Sequence, residues 1–587
     1  MKKTILGIVI ALIVIIGAGA LYWFVFRKDL AGRIVIPYIA HQKPKVDPHV
    51  PSSVPIADKL DEVLFDGLFN YTATPSGVVY ENGLGELMGM DKKSLVTVRL
   101  KPNRKWHSSF TVAMDKKEIA ISPAREREVD FTAQDLKFTL SRIQKLGSLS
   151  PDYILVSQAV PEFSFSGPNE NGEIQFQFRG DRSWSQDDIK EILSFKILPA
   201  NSDMEAPEYR TGTGPFMYCG EYEDVIYFQK MPGGGANITN FILKPFIDNS
   251  TYTTELKNRN INVLLSTPFG AVSPILRDST AYFYKSSIAT AFFSLYFNTQ
   301  KLSIEKRKAL RSLVNNKMIV ERFFKVGTPQ QRHIANYRGQ GDNYEEYLNY
   351  SVFPTTTYYI EDSVVIPAKA QGEVDMSVLT DTVRIQTCLN FDFREELSEL
   401  VEILNDPAMF HGTIKATAVS NAEIGQGNYD AVLFVSTGYR SNFLFDLYNV
   451  FLREPDFGAY RVNLQTAIDG KGKQAISAQS FAADKNFFRL DLSRESPESA
   501  DAKQLLDYIF LFMSSREIGD KQQTAILIDQ LEQKLALGAW LFSLPSLAYL
   551  STQFDISSID MYGTASQLST VEKWQEMPKK KGLPGKL

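Results

Sequence analysis

The chain has 587 residues, 44% hydrophobic and 22% charged, which is too long for one core and too mixed for a disordered or wholly membrane-embedded protein. A formal charge of −5 supplies no basic surface for nucleic acid. Only two cysteines, Cys219 and Cys388, exclude a disulfide-stapled scaffold or a Cys-rich metal site.

The first element is Thr4 to Phe26, a run without a charge, flanked by Lys2–Lys3 and by Arg27–Lys28. About 20 apolar residues at 1.5 Å each cross the roughly 30 Å hydrocarbon layer of a bilayer. Tyr22 and Trp23 fall where an interfacial aromatic belt would stand. A cleavable signal sequence ending at Ala18-Gly19-Ala20 is the competing reading. Cleavage there would leave LYWFVF as a greasy new terminus, so an uncleaved anchor in residues 1–33 is the preferred one. The body is then expected to face outward, in the periplasm or outside the cell. Without residues 1–28, which hold four basic residues and no acidic one, the charge is −9.

Arg33 to Ala40 predicts a short strand, and the apolar spacing of Ala57 to Phe69 predicts a helix with Gly67 near its end. Leu95 to Leu100 alternates like a strand and leads into a turn at KPNRKW. Phe131 to Ile143 predicts a helix with Thr132 as N-cap and Asp135 closing an acidic capping box. Two glycines and a proline make Thr211 to Phe216 a turn. Ser294 to Phe297 reads as a strand that runs into Asn298, and Ser303 to Phe324 as one long helix capped by Ser303. A loop-rich stretch to about Thr380 follows. Val383 to Asn390, Phe393 to Leu404 and Tyr429 to Val435 then give strand, helix and strand, the order of an α/β unit. Lys521 to Leu537 predicts a helix, and Trp540 to Leu550 an apolar strand pair interrupted at Pro545. Residues 576–587 read as a basic, disordered tail.

Signatures of chemistry are missing from the sequence. The five histidines, at 41, 49, 107, 333 and 411, have no metal-ligand spacing. No G-x-S-x-G, H-E-x-x-H or G-x-x-x-x-G-K-[ST] motif occurs. Gly233-Gly234-Gly235 precedes no helix start and fits a hairpin loop better than a phosphate cradle. The two cysteines have no spacing that pairs them and read as inert buried thiols. An exported chain of this kind is expected to be a binder, not an enzyme, with no cofactor and no metal.

Several segments, in this order, resemble the extracellular solute-binding proteins of family 5, the oligopeptide, dipeptide and nickel binders of ABC transporters. They are VDPH at Val46–His49, ADKLDEVLFDGLF from Ala57, LVTVRLKPNRKWH from Leu95, FTAQDLKFTLSRI from Phe131, and GTGPF from Gly212. The segment LYFNTQKLSIEKRKALRSLVNNKMIVERFF from Leu295 and the strand YDAVLFV from Tyr429 complete the set, which spans roughly residues 34 to 560. An insertion at Ala113–Val129 departs from the family pattern. The resemblance implies an α/β, periplasmic-binding-protein-like fold (type II, cluster C), two lobes about a hinge plus an extra lobe, preceded by the N-terminal transmembrane helix. Lobe I would comprise 34–75, 208–296 and 540–575, lobe II 76–207, and lobe III 297–539.

The resemblance also implies a site. Ser53 and Val54 correspond to a ligand-lining loop of lobe I. Relatives follow the strand matching YDAVLFV with a W-x-x-D loop; here those positions are Ser436, Thr437, Gly438 and Tyr439, followed by Arg440. Tyr439 carries no charge near neutral pH, given a reference pKa of about 10. It therefore cannot replace the carboxylate that holds a peptide's amino group. Arg440 would repel that group, and could instead hold a carboxylate or phosphate bidentately. Asn298 is expected to hold the hinge by backbone hydrogen bonds. The implied function is capture of a peptide or peptide-like solute for ABC permease subunits by a monomeric, membrane-tethered chain that binds no nucleic acid. The alternatives are a tethered structural or sensory protein with a degenerate cleft, or a binder of an oligosaccharide, opine or metal chelate.

Overall fold

The structure is a computed structural model. It describes the chain apart from residues 1–29, 51, 53, 75–76, 116–117, 125–128, 148–149, 181–183, 233–237, 266–280, 325–346, 354–373, 390–392, 438–446, 452–485, 491–494, 515–517, 560–567 and 579–587. The apolar run Thr4–Phe26, the triple glycine, His333 and residues 579–587 thus lie outside the described residues, whereas Gly32 and Glu576, expected in the anchor and the disordered tail, are ordered and hydrogen-bonded to each other. Among the described residues no helix is long and apolar enough to cross a membrane.

The strand expected at Arg33 is β1 (Arg33–Ile39), which pairs in parallel with β11 (Asn240–Phe246). The sheet continues antiparallel through β10 (Val225–Lys230) to β9 (Phe216–Tyr222). Alternation places Ile34, Ile36 and Tyr38 on the face that packs with Leu60, Val63, Phe228, Phe241 and Trp574. Leu60 and Val63 belong to helix α1 (Pro55–Leu64), begun by a proline at its first position. This helix ends earlier than its apolar spacing suggested. The chain turns extended at Phe65, and Phe69 opens β2 (Phe69–Thr74), paired with β3 (Gly77–Asn82).

A second core forms where β4 (Gly85–Met90), β5 (Leu95–Leu100) and β8 (Glu173–Gln177) meet helix α2 (Ala133–Leu146). Val96, Val98, Leu136, Leu140, Ile174 and Phe176 fill it. Both halves of the expected capping box are present: Gln134 N–H donates to Thr132 Oγ1, and Thr132 N–H donates to Asp135 Oδ2 at 2.7 Å. The insertion in this region is a two-stranded hairpin, β6 (Phe110–Asp115) and β7 (Glu118–Pro123), and β6 crosses β9 where Val112 lies against Gly220.

The third region is a six-stranded sheet in the order β12 (Val263–Leu265), β17 (Gly538–Ser551), β13 (Ala281–Phe297), β16 (Ala431–Thr437), β14 (Val383–Thr387), β15 (Ile414–Ala418). Ala431, Leu433 and Val435 of β16 face one core, with helices α4 (Ile304–Leu313), α5 (Asn316–Phe323) and α6 (Arg394–Leu404). Val432 and Phe434 face the other, with α7 (Pro497–Ser514) and α8 (Ile518–Leu535). Two expectations are corrected here. The single helix expected over Ser303–Phe324 is two helices, because the chain leaves helical geometry at Val314 and Asn315 caps a new start by accepting from Met318 N–H. The strand pair interrupted at Pro545 is one strand. Pro545 stands opposite Ala289, where the β13–β17 register shifts, so its missing N–H falls at an irregularity.

Motif residues explain how the regions are joined. Arg142 on α2 donates to both Asp47 oxygens, at 3.0 and 2.6 Å, and to His49 Nδ1 at 2.7 Å. His49 Nε2 in turn donates to the Lys196 carbonyl at 2.7 Å, so VDPH is a structural clamp. Asn262, 1% exposed, joins the first and third sheets: its side chain accepts from Val35 N–H and donates to the Arg33 carbonyl, both at 2.7 Å. Asn298 donates to the Tyr429 carbonyl at 3.0 Å, and its own N–H to the Asp430 carbonyl at 2.9 Å, as a backbone-holding role requires.

His107 holds the GTGPF turn. Its Nδ1 accepts from Gly212 N–H at 3.2 Å and its Nε2 donates to the Gly214 carbonyl at 2.9 Å, which fixes a neutral ring. Burial pushes the pKa down to about 4, with the Gly214 hydrogen bond opposing. The folded value lies below the unfolded one, so this stability is present above about pH 6.5 and is lost as pH falls toward 4, by about 3 kcal/mol in full. Urea midpoints measured across this window should fall with pH, and a His107→Ala variant should show a flatter slope; equal slopes would disprove the assignment.

Candidate functional site

A cavity of about 700 Å³ lies between the first sheet and the third region. One wall is the end of β1, from Ile36 to Ile39, with His41 and Gln42 beyond it. Val54, Ile56 and Lys59 at the start of α1 form the next side. The loop Ile247–Asn249 after β11, Tyr252 on helix α3 (Tyr252–Lys257), and Leu264–Leu265 of β12 close a third. The opposite wall is α6, which contributes Arg394, Glu395, Ser398, Glu399 and Glu402.

The sequence of α6 explains its two faces. Leu397, Leu400, Ile403 and Leu404 point into the core, and the i, i+3, i+4, i+7 set Glu395, Ser398, Glu399, Glu402 is left for the cavity. Acidic residues in its first turn also suit the positive end of the helix dipole. Two tyrosines are among the residues lining the cavity. Tyr38 is buried and donates to the Asp224 carbonyl; burial first, then the Asp224 and Glu221 charges, push its phenol up to about 12. Tyr252 packs edge-on against Phe246 at 5.4 Å, and burial, then Asp248, push its phenol up to about 12. Asp248 accepts from Ser250, from its backbone N–H at 2.9 Å and from its hydroxyl at 2.5 Å; the hydroxyl bond first, then the backbone one, holds its carboxyl below the ordinary range.

Of the expected site residues, Val54 is at the cavity, where it occupies the N-cap position of α1 with extended backbone. Ser436 is 1% exposed within β16, opposite Phe292. Thr437 ends β16 opposite Ala291, and nothing further is described of its side chain. Ser53, Gly438, Tyr439 and Arg440 lie outside the described residues. The cavity's α6 wall, Tyr38 and Tyr252 were not among the expected residues. The α6 stripe is visible as helical spacing, but every solvated helix face carries such a stripe.

Among the described residues no group of three or more His, Cys, Asp or Glu side chains is placed to hold a metal. Cys219 and Cys388 are free thiols, and burial pushes the Cys219 thiol up to about 12. These groups bring no nucleophile or metal chemistry to the cavity. The arrangement is built for contact: apolar walls, two neutral phenols and charged groups at the margin.

No protein-family model matches the sequence, and no curated protein matches it at a significant level. Solved structures do match in shape. NikZ from Campylobacter jejuni, in complex with Ni(L-His), superposes with a TM-score of 0.62 at 13% identity, covering 93% of this chain and 100% of that one. The oligopeptide-binding protein AppA from Bacillus subtilis, in complex with a nonapeptide, gives 0.57 at 13% identity over 93% and 99%. The binding protein AgaA of A. tumefaciens R10, with agropinic acid, gives 0.56 at 14% identity over 93% and 99%. The chain therefore has the fold of the family 5 extracytoplasmic solute-binding proteins, the family that its ordered segments resemble.

Proposed function

We propose that this chain captures a peptide or peptide-like solute outside the cytoplasm and presents it to the permease subunits of an ABC importer, without altering it chemically. The observation that carries the reading is the cavity between the β1–α1 side and α6, on a fold whose relatives hold a nonapeptide, a nickel–histidine complex and agropinic acid. Its size suits a small solute, since ligand sites commonly measure about 300–1,000 Å³. The body is read as three lobes, 34–75 with 208–296 and 540–575, then 76–207, then 297–539. The buried clusters support the division in outline: one is drawn from 34–65 and 198–265 with 548–574, one from 68–197, and two mainly from beyond 291, into which Phe292, Phe293, Trp540 and Phe542 of the first lobe's segments also pack. Residues 1–33 serve as the tether, and the chain acts as a monomer. Closure of the lobes stabilises the bound form only by the ligand's differential affinity for it.

Native mass spectrometry of the exported chain, before and after mild denaturation, tests this. The expected result is a co-purifying small mass that denaturation releases, whose fragments name it as peptide, sugar or chelate. A bare chain whose melting point no peptide library moves would contradict solute capture.

A further inference from the structure

We propose that the solute held in this cavity is cationic, a basic peptide in preference to a neutral or acidic one; this rests on the capture reading and narrows its ligand class. Four carboxylates, Asp248, Glu395, Glu399 and Glu402, border the cavity against two cations, Lys59 and Arg394, leaving an excess of two negative charges. The carboxylates do not form one patch. Three stand on successive turns of α6, and Asp248 stands on the loop after β11. A ligand in the cavity meets negative charge from two separate elements. Asp248, Glu395 and Glu402 are exposed, so their attraction for a cation is of the kind that salt screens.

The rest of the lining suits the same ligand. Tyr252, half-buried at the cavity, adds an aromatic ring of the kind that attracts a cation, and as a neutral phenol it adds no repulsion. Val54 and Leu265, half-buried at the cavity, offer apolar surface to the methylene stem of a lysine or arginine side chain. Glu395 and Glu399 are about 6 Å apart along the helix axis, and Glu402 about 10 Å from Glu395.

Calorimetric titration of the full-length chain with Ala-Lys-Ala, Ala-norleucine-Ala and Ala-Glu-Ala tests the proposal, with spermidine as a non-peptide cation. At ~50 mM salt the lysine peptide should bind about tenfold more tightly than the norleucine peptide, and the glutamate peptide most weakly. The margin should shrink at ~500 mM salt, where exposed charges are screened. It should also shrink in a Glu395→Gln/Glu399→Gln/Glu402→Gln variant whose melting temperature equals the parent's. Should that variant fail to fold, the salt series on the parent decides alone. Equal binding of the three peptides, or tightest binding of the glutamate one, overturns the charge preference and leaves capture standing. Binding of spermidine alone upholds the preference and removes the peptide. Binding of none of the four overturns both.

Discussion

Gly212→Ala is expected to cost about 3 kcal/mol or more, because the added methyl has nowhere to go. A Cβ at Gly212 would stand 1.9 Å from the Leu64 carbonyl oxygen and 2.8 Å from its carbonyl carbon. Both are backbone atoms, so no side-chain rotation relieves the overlap. The GTGPF turn would have to move away from the end of α1, taking with it the Gly214 N–H bond to the Leu64 carbonyl at 2.9 Å and the two His107 contacts. The loss should appear as a melting midpoint lower by roughly 6–12 °C for a cooperative unit of 150–250 residues. Gly519→Ala is the control. Nothing lies within 4 Å of a Cβ there, on α8, so the midpoint should hold or rise slightly. A Gly212→Ala protein as stable as the parent would show that the close approach is not what requires glycine.

Glu532→Ala should be as damaging, about 3–5 kcal/mol, for an electrostatic reason. Glu532 is fully buried and satisfies three donors: Arg311 on α4, Leu537 N–H at 3.0 Å, and Trp540 Nε1 at 3.1 Å. Removing the carboxylate strands a guanidinium that is 9% exposed, together with two buried N–H groups. Arg311 would keep its bonds to the Gly538 carbonyl at 2.6 Å and to Gln533 at 3.0 Å, and the nearby Asp529 carboxyl, which limits the loss but does not replace the direct ion pair. Glu532→Leu combined with Arg311→Met should recover much of the stability, since the stranded charge leaves with its partner. Chemical denaturation of the two single variants and the double one measures the coupling. Additive losses would mean that the pair does not act as a unit.

The fold was legible in the sequence wherever local rules decide. Thr132 and Asp135 announced the start of α2, and the glycines of GTGPF announced a turn before their crowding against Leu64 could be seen. Local spacing misled at Ser303–Phe324, because an apolar stripe persists across Asn315 whether or not the backbone does. It misled again at Pro545, since nothing in the sequence says that Ala289 would stand opposite it at a register shift. The candidate site was legible only in part. Val54 was found only through the resemblance, which assigns it to a ligand-lining loop of lobe I. Glu399 and Tyr252 stand about 150 residues apart in sequence and share a cavity only through tertiary packing.

The path of β17 sets a timetable for folding. Ala548 and Leu550 complete the core begun by Ile34 and Ile36, Leu541 and Phe542 enter the core of α4–α6, and Trp540 enters that of α7 and α8. Three cores thus wait on one strand that leaves the ribosome near the end of synthesis. At roughly 5–20 residues per second, on the order of half a minute to two minutes separate the appearance of β1 from that of β17. Until then β1 has its sheet partner β11 but lacks the cover of Ala548 and Leu550. A message truncated before Gly538 yields a product that cannot close any of the three.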